Sequence, residues 1–141
     1  MHDPHDLQPQ AWLDRLNALV RDRMTTPFKW GEHDCCLWGA DCVQAVSGMD
    51  PAVAYRGTYS TAAQAVALVD SLGGMEAIGA MGGAECAPLG AGVGDVGLVL
   101  DGEGHQVIGV CVGTLWLVAA KDGLGALPLE AAVKAWRVAR G

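Results

Sequence analysis

Gly31-Glu32-His33-Asp34-Cys35-Cys36 is the densest group of reactive side chains in this chain, and a helix is expected to open within it. Asp34 is a residue type that accepts hydrogen bonds from the free N–H groups of a helix start. Gly48 suits the left-handed position just past a last turn. The spacing therefore predicts a helix from Asp34 to Gly48. A thiol in its first turn, as at Cys35, feels the positive end of the helix dipole, and the Asp34 carboxylate acts against that. Cys36 points about 100° further round the helix and is expected to face the core with Val43.

Upstream, Leu13, Leu16, Leu19 and Val20 fall on one helical face opposite Asp14, Arg15, Arg21 and Asp22. Pro9 is a good first-turn residue, and the pattern stops before Thr25-Thr26-Pro27. Phe28-Lys29-Trp30-Gly31 reads as an extended connector turning at glycine. Downstream, Asp50 to Tyr59 reads as a helical turn and loop, Ser60 as the cap of a helix over Thr61–Leu72, and Met75–Met81 as a shorter helical piece after Gly73-Gly74. From Cys86 the character changes. A glycine-rich loop leads to strands at Val96–Leu100, Val107–Val112 and Leu115–Ala120, joined by turns at Asp101–Gly104 and Gly113-Thr114. Pro128 suggests a short helix over Leu127–Ala135, with Trp136-Arg137-Val138 as a final strand. Helices first and an antiparallel meander second make this an α+β chain, and residues 1–141 read as one domain behind a polar tail over 1–9.

Composition narrows the function. Hydrophobic residues make up 51% of the 141 and charged residues 18%, enough apolar material for a true core, so global disorder is excluded. No apolar run approaches the roughly 20 residues of a membrane span. Nine basic against 16 acidic residues give a net charge of −7 with no basic stripe, so no nucleic-acid partner is expected. The five cysteines, Cys35, Cys36, Cys42, Cys86 and Cys111, are an odd set without framework spacing, and residues 1–9 lack a signal-peptide pattern. The expectation is a chain made and kept reduced in a cytosol.

A Cys35 nucleophile needs a base, and His105, at the start of a strand, and His33, beside the thiol, are the two to consider. The plain alternatives are a core cysteine and a solvated histidine. His33, Cys35, Cys36 and Cys42 lack the paired spacing of a zinc knuckle, so neither a metal nor another cofactor is expected. Trp30 and Trp38 flank the thiol and are cleft or core residues. Arg56 holds a loop through Asp41 or Asp50, or meets a substrate carboxylate. Asp95 turns the chain into its strand.

Several stretches together resemble the NlpC-type cell-wall peptidases, papain-like cysteine endopeptidases of bacteria and phages that cut peptidoglycan stem peptides. They are Phe28-Lys29-Trp30-Gly31, Asp34-Cys35 opening a helix, Gly94-Asp95-Val96-Gly97-Leu98-Val99 and Ile108-Gly109-Val110-Cys111-Val112-Gly113. The likeness is greater to a phage and prophage branch marked by Trp30-Gly31…Asp34-Cys35-Cys36, Asp50-Pro51…Arg56-Gly57-Thr58-Tyr59, Gly94-Asp95-Val96, Gly109-Val110-Cys111 and Ala135-Trp136-Arg137-Val138. It runs from about Trp12 to Val138.

The resemblance implies a papain-like fold, with a helix-start cysteine packed on a small antiparallel sheet. It implies Cys35 as nucleophile, His105 or alternatively His33 as base, helix N–H groups as oxyanion donors, and a substrate cleft near Trp30, Asp34, Trp38 and Arg56. Aligned on Gly109, that family's histidine position falls on Val107, and His105 lies two residues earlier on the same strand face. The next strand, Leu115-Trp116-Leu117-Val118, offers no residue to orient an imidazole. The implied setting is a virion tail, with tail-tip and hub proteins as partners and peptidoglycan peptide as substrate if the site is active. The alternatives are a catalytically inactive assembly protein of the tail hub and a host cysteine amidohydrolase.

Overall fold

The structure is a computed structural model that describes residues 11–141; the polar tail and the expected helical role of Pro9 lie outside the described residues. Among the described residues, four helices precede and flank a six-stranded antiparallel sheet, so the chain is α+β as its sequence pattern predicts. The helices are α1 (Ala11–Arg23), α2 (Cys35–Ser47), α3 (Ala62–Ser71) and α4 (Met75–Ala80). Among the described residues, no helix is long and apolar enough to cross a membrane.

The expected ends of α2 are present. The Asp34 carboxylate accepts from the Leu37 amide at 2.9 Å, and Gly48 takes φ 83° and returns its N–H to the Gln44 carbonyl. At α3 the cap is Thr61, whose hydroxyl accepts from the Gln64 amide, and not Ser60. The Ser60 amide instead donates to the Gln64 side chain, so the capping motif begins one residue later than its sequence suggests.

The strands are β1 (Ala84–Cys86), β2 (Val96–Leu100), β3 (Gln106–Cys111), β4 (Leu115–Ala120), β5 (Gly123–Pro128) and β6 (Ala132–Arg137), in the spatial order β1-β6-β2-β3-β4-β5. The meander β2-β3-β4 matches expectation; the segment after it does not. The helix expected over Leu127–Ala135 is absent. Leu127 and Pro128 finish β5, Leu129–Ala131 make one 3-10 turn, and Ala132 onward forms β6. β6 inserts between β1 and β2, where its backbone completes the ladders on both sides. Pairing on two edges outweighs the modest helix propensity of an alanine-rich run.

The two faces of the sheet bury different cores. Val96, Leu98, Ile108 and Val110 point to the helices and pack with Leu16, Trp38, Cys42, Val43 and Val46. Val99, Cys111, Trp116 and Ala135 point the other way, against Val107, Leu127, Leu129 and Ala131. Close approach of the layers depends on glycine. A Cβ on Gly39 of α2 would lie 2.5 Å from the Ile108 side chain, and one on Gly79 of α4 would lie 2.3 Å from the Trp136 ring. This packing brings the start of α2 down onto β3 and leaves a hollow between α2, α3 and α4.

Candidate functional site

The loop before α2 is held by one carboxylate. Asp34 is buried, and beyond capping Leu37 it accepts from the Gly31 amide at 2.9 Å and from the Tyr59 hydroxyl at 2.5 Å. Gly31 is at φ 82°, and a Cβ there would lie 2.1 Å from the Tyr59 carbonyl oxygen, so only glycine fits. The Trp30-Gly31…Asp34 and Arg56-Gly57-Thr58-Tyr59 stretches, 25 residues apart at the Asp34–Tyr59 bond, thus form one structural unit. Burial first, and then the bond to Asp34, pushes the Tyr59 phenol well above its ordinary value.

A second carboxylate does the same at the far side of the sheet. Asp95 is fully buried and accepts from the amides of Gly92 and Val138 and from the Arg140 guanidinium, while its carbonyl accepts from the Cys111 amide. Gly94-Asp95-Val96, Gly109-Val110-Cys111 and Ala135-Trp136-Arg137-Val138 therefore meet at this one residue, through its carbonyl and its carboxylate. Asp95 turns the chain as expected and also clamps the C-terminal segment.

Cys35 and Cys36 open onto a cavity of about 330 Å³ whose wall is mainly apolar, with Val43, Leu68, Leu72 and Ile78 among its residues. The two sulfurs are 3.9 Å apart, and Cys36 Sγ lies 3.8 Å from Met75 Sδ. Cys36 shares a face of α2 with Val43, as its helical position suggests, and that face lines this cavity, with Met75 beside it. Hydrogen bonding from Cys36 lowers the Cys35 thiol pKa, with help from the backbone of Ile108; burial and the Asp34 charge work against it. Cys36 is displaced far upward as the proton-holding partner and by burial. The outcome is one thiol predisposed to ionise and a neighbour that retains its proton.

The expected bases lie elsewhere. Strand residues of β3 alternate, and those facing α2 and the cavity are Gln106 and Ile108. Val107 packs on the opposite face, and a Cβ on Gly109 would meet Val99, Trp116 and Val118 there. His105 precedes β3 in the outer turn, is 67% exposed and bonds to Asp101 at 3.3 Å. The β3 side chains that line the cavity with Cys35 are thus a carboxamide and an isoleucine, not an imidazole. His33 is buried beside the thiol in sequence but turned away from the cavity: its Nε2 meets the Gly123 carbonyl at 3.1 Å, and its ring stands edge-on to Trp38. Its Nδ1 has no partner among the described residues.

Of the four expected cleft residues, Trp30 and Asp34 line the cavity. Trp38 does not; it is fully buried, with its indole N–H donated to the Leu117 carbonyl. Arg56 takes the structural role, pairing with Asp41 at 2.7 Å and with Asp50 at 2.7 Å. Gln106, Met75, Tyr55 and Tyr59 also line the cavity and were not legible as site residues. For Gln106 the available signal was strand parity counted from Ile108; for Met75, on another helix, the sequence carried none.

Residues 8–138 match the family described as a domain of unknown function, DUF6950. The chain belongs to this family. Neither a curated protein nor a solved structure matches it. The match covers the Asp34 cluster, the thiol cavity and the Asp95 clamp except for Arg140, which lies two residues beyond it.

Proposed function

We propose that this protein is a tail-tip component of a bacteriophage, built on a papain-like scaffold of the NlpC type, in which peptide hydrolysis has given way to an assembly role. The tail setting and the scaffold rest on the motif set from Trp30 to Val138 and on a cysteine at a helix start against an antiparallel sheet. The observation that carries the loss of hydrolysis is the strand opposite the thiol. Gln106 and Ile108 are the β3 residues that line the cavity with Cys35, while His105 is in solvent with Asp101. A carboxamide cannot take the proton that an attacking thiol and a leaving amine must exchange.

One observation favours the other reading, an active cysteine peptidase. Cys35 is predisposed to ionise, and it opens on a hollow large enough for a side chain. In that mechanism Cys35 attacks a stem-peptide amide and the first-turn N–H groups of α2 hold the oxyanion.

The two readings separate on peptidoglycan. Purified protein and its Cys35→Ala variant are incubated with sacculi, and the released fragments are read by mass spectrometry. The assembly reading expects no stem-peptide cleavage from either protein, normal infectivity of particles carrying Cys35→Ala, and defective tails when the whole domain is deleted. Cleavage that disappears in Cys35→Ala overturns it in favour of the peptidase. Normal tails after deletion reject the assembly role.

A further inference from the structure

The three sulfurs at the cavity wall have a chemistry of their own that requires no imidazole. Cys36 Sγ is the shared corner, 3.9 Å from Cys35 Sγ and 3.8 Å from Met75 Sδ. A metal ion about 2.3 Å from each of two sulfurs, the usual metal–thiolate length, subtends about 116° across a gap of 3.9 Å, close to trigonal geometry. The two sulfur–sulfur edges that meet at Cys36 therefore already have the spacing a three-sulfur site needs. From this geometry we infer that Cys35, Cys36 and Met75 form a binding site for a soft monovalent metal ion, of which Cu(I) is the representative.

The donor set selects the ion. Two thiols and a thioether are soft ligands, the kind that favour Cu(I) over harder ions. Among the described residues, no three His, Cys, Asp or Glu side chains converge, so the carboxylate and imidazole ligands a borderline divalent ion would add are not at hand. The nearest carboxylate, Asp34, is committed to Leu37, Gly31 and Tyr59. The apolar wall of Val43, Leu68, Leu72 and Ile78 limits water, a poor ligand for a soft cation.

The pair also resists the reaction that would remove it. Consecutive Cα atoms are about 3.8 Å apart, short of the roughly 4.4–6.8 Å across which a disulfide closes without strain. Cys35 and Cys36 are both free thiols. On binding, two S–H bonds are replaced by two S–Cu bonds, the two protons pass to water, and Met75 donates a lone pair; copper stays in its reduced state throughout. The complex carries one net negative charge, placed at the positive end of the α2 dipole.

The test is an anaerobic titration of the reduced full-length protein with Cu(I), supplied as its acetonitrile complex, in competition with bicinchoninate. The expected result is one equivalent held against the chelator, with X-ray absorption giving three sulfur neighbours at about 2.3 Å. Met75→Leu keeps the side-chain volume, so it preserves the fold. It should weaken binding at least about tenfold, the loss that even outer-shell changes cause. Cys35→Ser and Cys36→Ser should each abolish the competitive equivalent, while Cys86→Ser leaves it intact. Binding that survives Met75→Leu undiminished overturns the site, as does failure of the folded wild-type protein to retain copper against the chelator. These outcomes are independent of whether the domain cuts peptidoglycan or builds tails.

Discussion

Tyr59 gives its hydroxyl to a buried carboxylate that also caps α2 and pins the Gly31 turn, so its effect is felt at the start of the helix that carries both thiols. Replacing it with phenylalanine leaves Asp34 two of its three donors and should cost about 1.5–3 kcal/mol, the usual worth of a hydrogen bond to a charged group. Chemical denaturation measures this. The same bond gives a pH signature. The folded phenol titrates above its ordinary value of 10.0, so its contribution is complete below about pH 10 and is lost as pH rises beyond that. Tyr59→Phe should therefore flatten the alkaline limb of the stability profile; an unchanged limb would remove Tyr59 from that transition. At this scale the sequence was informative about Asp34, Cys35, Gly48 and Asp95, because capping, dipole and turn preferences are local. It could not reveal that Asp34 bonds to Tyr59, or that Met75 approaches Cys36, because those contacts join separate elements.

Among the elements, the central strands are where glycine and tryptophan set the spacing. Gly97 of β2 and Gly109 of β3 are cross-strand partners, and the Trp116 side chain covers both on the face away from the helices. A Cβ on Gly97 would lie 2.7 Å from the indole ring, which is itself buried and tied to the Leu129 carbonyl. Gly97→Ala should destabilise the domain by about 1–3 kcal/mol through overpacking, despite the better strand propensity of alanine. A thermal melt no lower than wild type would mean that Trp116 can swing aside. The meander was legible from alternation and turn residues, and β2 and β4 lie where the pattern places them. β6 was not, since Ala132–Arg137 mixes alanine and valine without a clean period, and its state is decided by the two strand edges it joins. Parity also decided the base. The burial of Ile108 and Val110 against α2 turns Val107 to the opposite face, and His105 lies before the strand, in the turn with Asp101.

For the whole molecule, the C-terminal segment is the closing piece. β6 lies between β1 and β2, Trp136 and Val138 are in the main core, and the Asp95 carboxylate holds the Val138 amide and Arg140. Truncation after residue 131 should therefore abolish cooperative unfolding, detectable as loss of near-ultraviolet dichroism from the tryptophans. A truncated chain that still melts in a single sharp transition would show that the remaining strands fold as a unit.

The sequence by itself determined the α+β class, the capped helix with Cys35 in its first turn, the β2–β4 meander and the local roles of Asp34 as cap and Asp95 as turn residue. These follow from preferences acting over a few residues. Only the tertiary structure decided that β6 is a strand, that Gln106 rather than a histidine lines the thiol cavity, and that Cys35, Cys36 and Met75 share one wall. Each of those outcomes depends on which surfaces are buried against each other, and burial is settled by the packed chain as a whole.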